Sequence, residues 1–225
     1  MLAIQVLYMW PKVGTIYHDR FLPRLGHIAE RMALLVLIVT GEGFFKLVVT
    51  LSEKGVYKVG ADVLVNFAVG GASLFALAWI YFDFVGNAKP RFEMVGDRYR
   101  TAIGWWLSHI ALMLSCVMIG VALAGEVKVG FFEPYPLKYA VFGCIGLALF
   151  IGSMLMIQNS VEERPAHRFA PTWVRILGIV ISLGTLALVP FVPSWVGNIA
   201  WGSALLSQVV LPLAWSYREL KAGRP

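Results

Sequence analysis

Charge is what this sequence has least of. Only 14% of its 225 residues are Asp, Glu, Lys or Arg, against about 25% in an ordinary soluble domain. A chain so poor in charge cannot cover itself with polar surface in water, which excludes a soluble globule. Disorder is excluded as well, because it requires low hydrophobicity and high charge. Cysteine is nearly absent. Cys116 and Cys144 both lie inside apolar runs and no CxxC occurs, so two buried thiols are expected rather than a disulfide framework. The phosphate-binding P-loop, HExxH, GxSxG and the dinucleotide glycine fingerprint are all missing, and with them the common signatures of nucleotide, zinc and acyl-transfer chemistry. A haem bundle usually has histidines on facing helices, and here His109 alone lies deep. No metal, no cofactor and no catalytic step are therefore expected; the reading is not of an enzyme.

What the sequence has in abundance is apolar length. Hydrophobic residues make up 59% and the mean hydropathy is +0.74. Six runs, at 31–52, 62–85, 101–124, 137–158, 172–192 and 196–217, are each long enough to cross about 30 Å of hydrocarbon as a helix. The ten-residue alternation of a membrane barrel is missing. The spacing predicts an all-α, polytopic membrane bundle of six transmembrane helices over 31–217. A segment 1–30 precedes it and a short tail 218–225 follows. Within the first segment, Leu2–Trp10 is apolar but has neither a basic region before it nor a small-residue cleavage site after it. It is read as interfacial, with Tyr8 and Trp10 at headgroup level, or as the remnant of a preceding span. Pro212 is expected to kink the sixth run.

The net charge of +6 would suggest nucleic acid in a soluble protein. In a membrane protein it reflects basic loops and anionic lipid instead. Fourteen basic residues, including every arginine, fall on one side of the predicted bundle: Lys12, Arg20, Arg24, Arg31, Lys89, Arg91, Arg98, Arg100, Arg164, Arg168, Arg175, Arg218, Lys221 and Arg224. Five lysines fall on the other, at Lys46, Lys54, Lys58, Lys128 and Lys138. The positive-inside rule puts both termini in the cytoplasm.

Few polar groups interrupt the spans. Glu42 stands between Gly41 and Gly43, about 16 Å from Arg31 along a helix, near the bilayer centre. An ionised carboxylate there is costly unless paired. It therefore hydrogen-bonds as a neutral acid, pairs with Lys46 four residues on, or serves a function. His109, about 12 Å into the third span on the same count, is its natural partner, and Ser108, Ser115 and Cys116 would extend a polar seam. At the arginine side, His27, Glu30 and Arg31 open the first span while Tyr81 and Asp83 close the second, forming a second polar cluster or simply an ion-paired helix terminus. Gly70, Gly71, Gly143 and Gly146 offer close helix approach, within one chain or between two.

The run from Gly26-His27 through Glu30-Arg31 to Gly41-Glu42 resembles the HxxERxxLxxIIxLGE signature of the bacterial low temperature requirement protein A family. Trp79-Ile80-Tyr81-Phe82-Asp83 resembles its WxxYFD element. Trp105 to Leu112, with His109 and Gly120, resembles its YxHxxLxxGI element. The three occur in order over residues 26–120, and the remaining spans fit in hydropathy. The resemblance implies integral membrane proteins without an assigned activity, longer than this chain, which resembles their C-terminal part. It singles out His27, Glu30, Arg31, Glu42, Tyr81, Asp83 and His109. A chain that resembles half of a longer architecture is expected to pair with itself, most simply as a homodimer.

Two functional readings follow. One is an ion- or proton-coupled transporter or channel of a bacterial inner membrane, using Glu42 and His109. The other is a non-transporting sensor or assembly subunit whose buried polar groups specify helix pairing.

Overall fold

Hydrocarbon offers a peptide group no hydrogen-bonding partner, so each apolar run satisfies its own backbone by coiling. The computed structural model describes residues 25–55, 59–85, 99–129, 131–160 and 171–221, and there the six runs are six helices. They are α1 Leu25–Lys54, α2 Ala61–Val85, α3 Tyr99–Val127, α4 Leu137–Asn159, α5 Thr172–Leu188 and α6 Ser194–Lys221. Five are long and apolar enough to cross a membrane. The expected fifth span is the shorter helix, 17 residues, or about 26 Å, prolonged by a one-turn 3-10 helix at Val189–Phe191. Among the described residues there is no strand. The expected segment Leu2–Trp10 and the basic residues Lys89, Arg91, Arg98, Arg164 and Arg168 lie outside the described residues.

Helix ends follow local chemistry. α1 stops at Gly55, whose φ of 79° is the left-handed conformation that a side chain disfavours, and the Gly55 N–H donates to Ser52 O at 2.9 Å. α4 and α5 follow Pro136 and Pro171, whose missing N–H forgoes no helical bond at that position. α6 stays helical through Pro212. Where the chain leaves α3 and enters α6, two turns clasp each other. Ser194 N–H donates to Glu133 O (3.0 Å), Trp195 N–H to Phe131 O (3.3 Å) and the Ser194 hydroxyl to Phe131 O (2.8 Å), beside an isolated bridge between Pro134 and Pro193.

The core is centred on α3 and α4, which share the most extensive interface; α1 and α2 flank α3, while α5 packs on α4 and α6. Close approach rests on small residues. The Trp201 indole of α6 lies directly over Gly143 of α4, where a Cβ would collide with the ring. Trp201 Nε1 donates to Cys144 Sγ at 3.3 Å. Gly146 packs on Met118 and Ile119, Gly70 on Leu47, and Gly71 on Phe44. All four of these glycines make contacts within the chain. Leu34, Ile38, Phe75, Trp79, Val180, Leu206 and Leu213 face outward, as lipid-facing side chains do. Cys116 and Cys144 are free and buried.

Candidate functional site

Helix register decides which polar groups meet. α1 and α3 run parallel and touch most closely at Gly43 and Gly120, where a Cβ on Gly120 would stand 2.9 Å from Gly43 Cα. One turn back, Thr40 sits beside Cys116. This register places Glu42 level with Met118 and Ile119, roughly 14 Å beyond His109 at 1.5 Å per residue. Glu42 is moreover exposed, while its neighbours Thr40 and Gly43 face the core. The Glu42–His109 pair expected from the sequence is therefore not formed. Counting depth from each helix's apparent mouth assumed that the two helices start at one level, and they do not. No ion pair joins Glu42 to Lys46 among the described residues.

His109 itself is fully buried on α3. Its Nδ1 lies 2.8 Å from Trp105 O, a carbonyl that can only accept, so Nδ1 carries the proton and Nε2 is left with its lone pair. Among the described residues Nε2 has no hydrogen-bond partner. The Trp105 ring packs against the imidazole at 4.1 Å, tilted by 48°, and Tyr81 of α2 meets it edge-on at 5.9 Å and 85°. Tyr81 is fully buried too, and its hydroxyl has no hydrogen-bond partner among the described residues.

Tyr81 thus leaves the expected inner-rim cluster and joins His109. What remains at the rim is a His27–Glu30 contact of 4.0 Å between side chains 68% and 72% exposed, which contributes little. Arg31 and Asp83 are exposed, with no ion pair between them among the described residues. Ser108 and Ser115 return their hydroxyls to Gly104 O and Leu112 O of their own helix.

A second buried polar site was not foreseen. Glu126, in the last turn of α3, is 1% exposed. Asn66 of α2 donates from Nδ2 to the Glu126 and Val129 carbonyls, at 3.3 Å each. Asn198 of α6 stands between the two. Its amide nitrogen faces Glu126 and donates to Oε1 and Oε2 at 2.5 and 2.8 Å, an arrangement that suits a carboxylate, which only accepts. Among the described residues no cation lies within ion-pair distance of this carboxyl.

Alongside, Tyr135 donates its hydroxyl to Ala122 O at 2.5 Å. It lies between α3 and α4, and burial pushes its phenol far above the usual range, so this bond persists in alkali. Arg175 is a further surprise. Counted as a charge at a helix mouth, it is instead 2% exposed in α5 and donates from Nη1 to Gln208 Oε1 of α6 at 3.0 Å. Gln208 Nε2 donates in turn to Val174 O at 3.0 Å.

Sequence reasoning missed the Glu126 site because the predicted third span closed at residue 124 and left Glu126 in a loop. The available signal was Asn66 and Asn198, single amides inside apolar runs. The site is built of carboxyl and amide groups, and among the described residues no three His, Cys, Asp or Glu side chains come together.

No curated protein and no solved structure matches this chain. The family model of the bacterial low temperature requirement A protein (LtrA) matches residues 1–211, well past the three motifs and through most of α6. The chain belongs to the bacterial low temperature requirement A protein family.

Proposed function

We propose that this membrane protein is a proton- or ion-coupled transporter or channel, with Glu126 as the coupling group in place of the Glu42–His109 pair. The observation that carries the reading is an acid 1% exposed, with the Asn198 amide of α6 on its carboxyl oxygens, the Asn66 amide of α2 on its backbone carbonyl, and no cation facing it among the described residues. Intramembrane acids of this kind are expensive and typically mark ion pathways. Asn198 gives both oxygens of the carboxylate a donor. The bacterial inner membrane is the proposed location, with both termini cytoplasmic. The arginine-bearing ends of the helices then face the cytoplasm, and Glu126 lies near the outer face. The reading keeps a homodimer, which must use surfaces other than Gly70, Gly71, Gly143 and Gly146, since these are occupied within the chain.

The test is proton and K⁺ flux into liposomes carrying the full chain. Wild type conducts one of them down its gradient, and E126Q, which keeps shape and hydrogen bonding but cannot ionise, loses that flux at least tenfold. Equal flux in E126Q overturns the reading. The second reading, a sensor or assembly subunit, is favoured by the same amides, because Asn66 and Asn198 tie α2 and α6 to the α3 terminus. It predicts no flux in either protein.

A further inference from the structure

Glu126 lies at one end of the bundle and the His109–Tyr81 contact toward the other. Along α3 the two are about 26 Å apart. Each station joins α3 to α2, His109 through Tyr81 and Glu126 through Asn66, and buried polar atoms without a hydrogen-bond partner among the described residues occur at each of the two levels. At the arginine end these are His109 Nε2, an acceptor, and the Tyr81 hydroxyl, a donor. At the other end it is the Thr50 hydroxyl of α1. Gly70 packs against both Leu47 and Leu123. This fixes a common level for the three helices, from which Thr50, Asn66 and Glu126 follow one turn further out. Between the stations the interface is apolar and tightly packed. Leu47, Leu74 and Leu123 are buried there, and Leu74 also covers the Gly43–Gly120 contact.

Resting on the reading of Glu126 above, we infer that His109 with Tyr81 is a second proton station on the same path, and that the Leu47–Leu74–Leu123 layer on the Gly43–Gly120 contact is the gate between the two. When the layer parts, water spans it. A proton leaves the Glu126 carboxyl, which becomes a carboxylate. Along the water chain each O–H bond formed is matched by one broken, and the Nε2 lone pair takes the last proton. The imidazolium keeps its Nδ1–H on Trp105 O and then releases the Nε2 proton toward the arginine end. Among the described residues the titratable group that meets His109 is Tyr81 of α2, and Cys116 of α3 lies near Tyr81. Glu30 and Arg31 of α1 are exposed at this level, and the one charged residue of α4 is Lys138, at its far end.

Proton influx into liposomes containing the full chain, followed with a trapped pH dye, tests both halves. H109Q and Y81F each lower the flux at least tenfold, whereas L47N wets the gate and raises it at least tenfold. The L47N/E126Q double variant returns to baseline, because the leak runs through Glu126. L123S serves as a second gate variant should L47N fold poorly, and a gain of E126-dependent flux cannot come from unfolded protein. If E126Q is inactive while H109Q, Y81F and both gate variants conduct like wild type, the relay is overturned and the Glu126 reading stands. A gate-variant leak that survives E126Q also overturns the relay. If wild type carries no protons the relay falls, and if E126Q itself conducts like wild type both readings fall.

Discussion

Gly143→Ala adds one methyl group at the most crowded point of the bundle. The new Cβ falls within the six-membered ring of Trp201, a side chain that is itself buried. The indole cannot give way at no cost. It donates to Cys144 Sγ at 3.3 Å and meets the Tyr135 ring edge-on at 6.0 Å. Overpacking a tight core costs about 1–3 kcal/mol. A lost neutral hydrogen bond adds about 1 kcal/mol, and a displaced aromatic pair about 0.5–1.5 kcal/mol. The expected loss is about 3 kcal/mol, measured as reversible unfolding in mild detergent, with a shift in Trp201 fluorescence. Trp201→Leu in the same background removes the obstructing ring, so the double-mutant cycle should show a coupling of at least about 1 kcal/mol. A Gly143→Ala protein within about 0.5 kcal/mol of wild type, with unchanged fluorescence, refutes the packing argument. A change confined to the monomer–dimer equilibrium would place Gly143 between chains instead.

Gln208→Leu removes the acceptor for Arg175 Nη1 and the donor to Val174 O. About 2 kcal/mol of stability should be lost, since bonds to charged groups contribute about 1.5–3 kcal/mol; unfolding in detergent reads it. Glu42→Gln should leave flux unchanged and stability within about 0.5 kcal/mol, as expected of an exposed position; a tenfold loss of flux would return Glu42 to the mechanism. Cysteines placed at Lys54 and Lys128 should react with a membrane-impermeant maleimide added outside whole cells, and one at Lys221 only after the membrane is opened. The reverse pattern inverts the orientation.

The helices were legible because lipid leaves an apolar run of twenty residues a single backbone solution, so all six could be placed to within a few residues. Depth was not legible. Glu42 and His109 matched on paper because each was counted from an assumed mouth, whereas α1 begins at Leu25 and its stagger against α3 is set by glycines meeting at Gly43 and Gly120. Direction around a helix was lost for the same residue. Glu42 follows Thr40 and precedes Gly43, both of which face the core, yet it is turned away from it. Glu126 and Arg175 show the complementary failure. Charges near the ends of apolar runs read as loop residues, and only the partner helix, through Asn198 in one case and Gln208 in the other, reveals that they are buried. The Tyr81–His109 contact lay in two family motifs, but nothing in their spacing said that they touch.

The clasp between the two turns has a bearing on how the protein is made. Glu133 precedes Ser194, and Glu126 precedes Asn198, by stretches that include all of α4 and α5. At about 5–20 residues per second of synthesis, Asn198 emerges roughly 4–14 s after Glu126. During that interval the Glu126 carboxyl has Asn66 beside its backbone but no amide facing its oxygens. The helical hairpin α3–α4 must therefore enter the bilayer with an incomplete polar site, one that α6 completes as the last of the six helices to be synthesised. Truncation before α6 would strand a bare acid in the membrane, a feature by which quality-control proteases could tell an unfinished chain from a finished one.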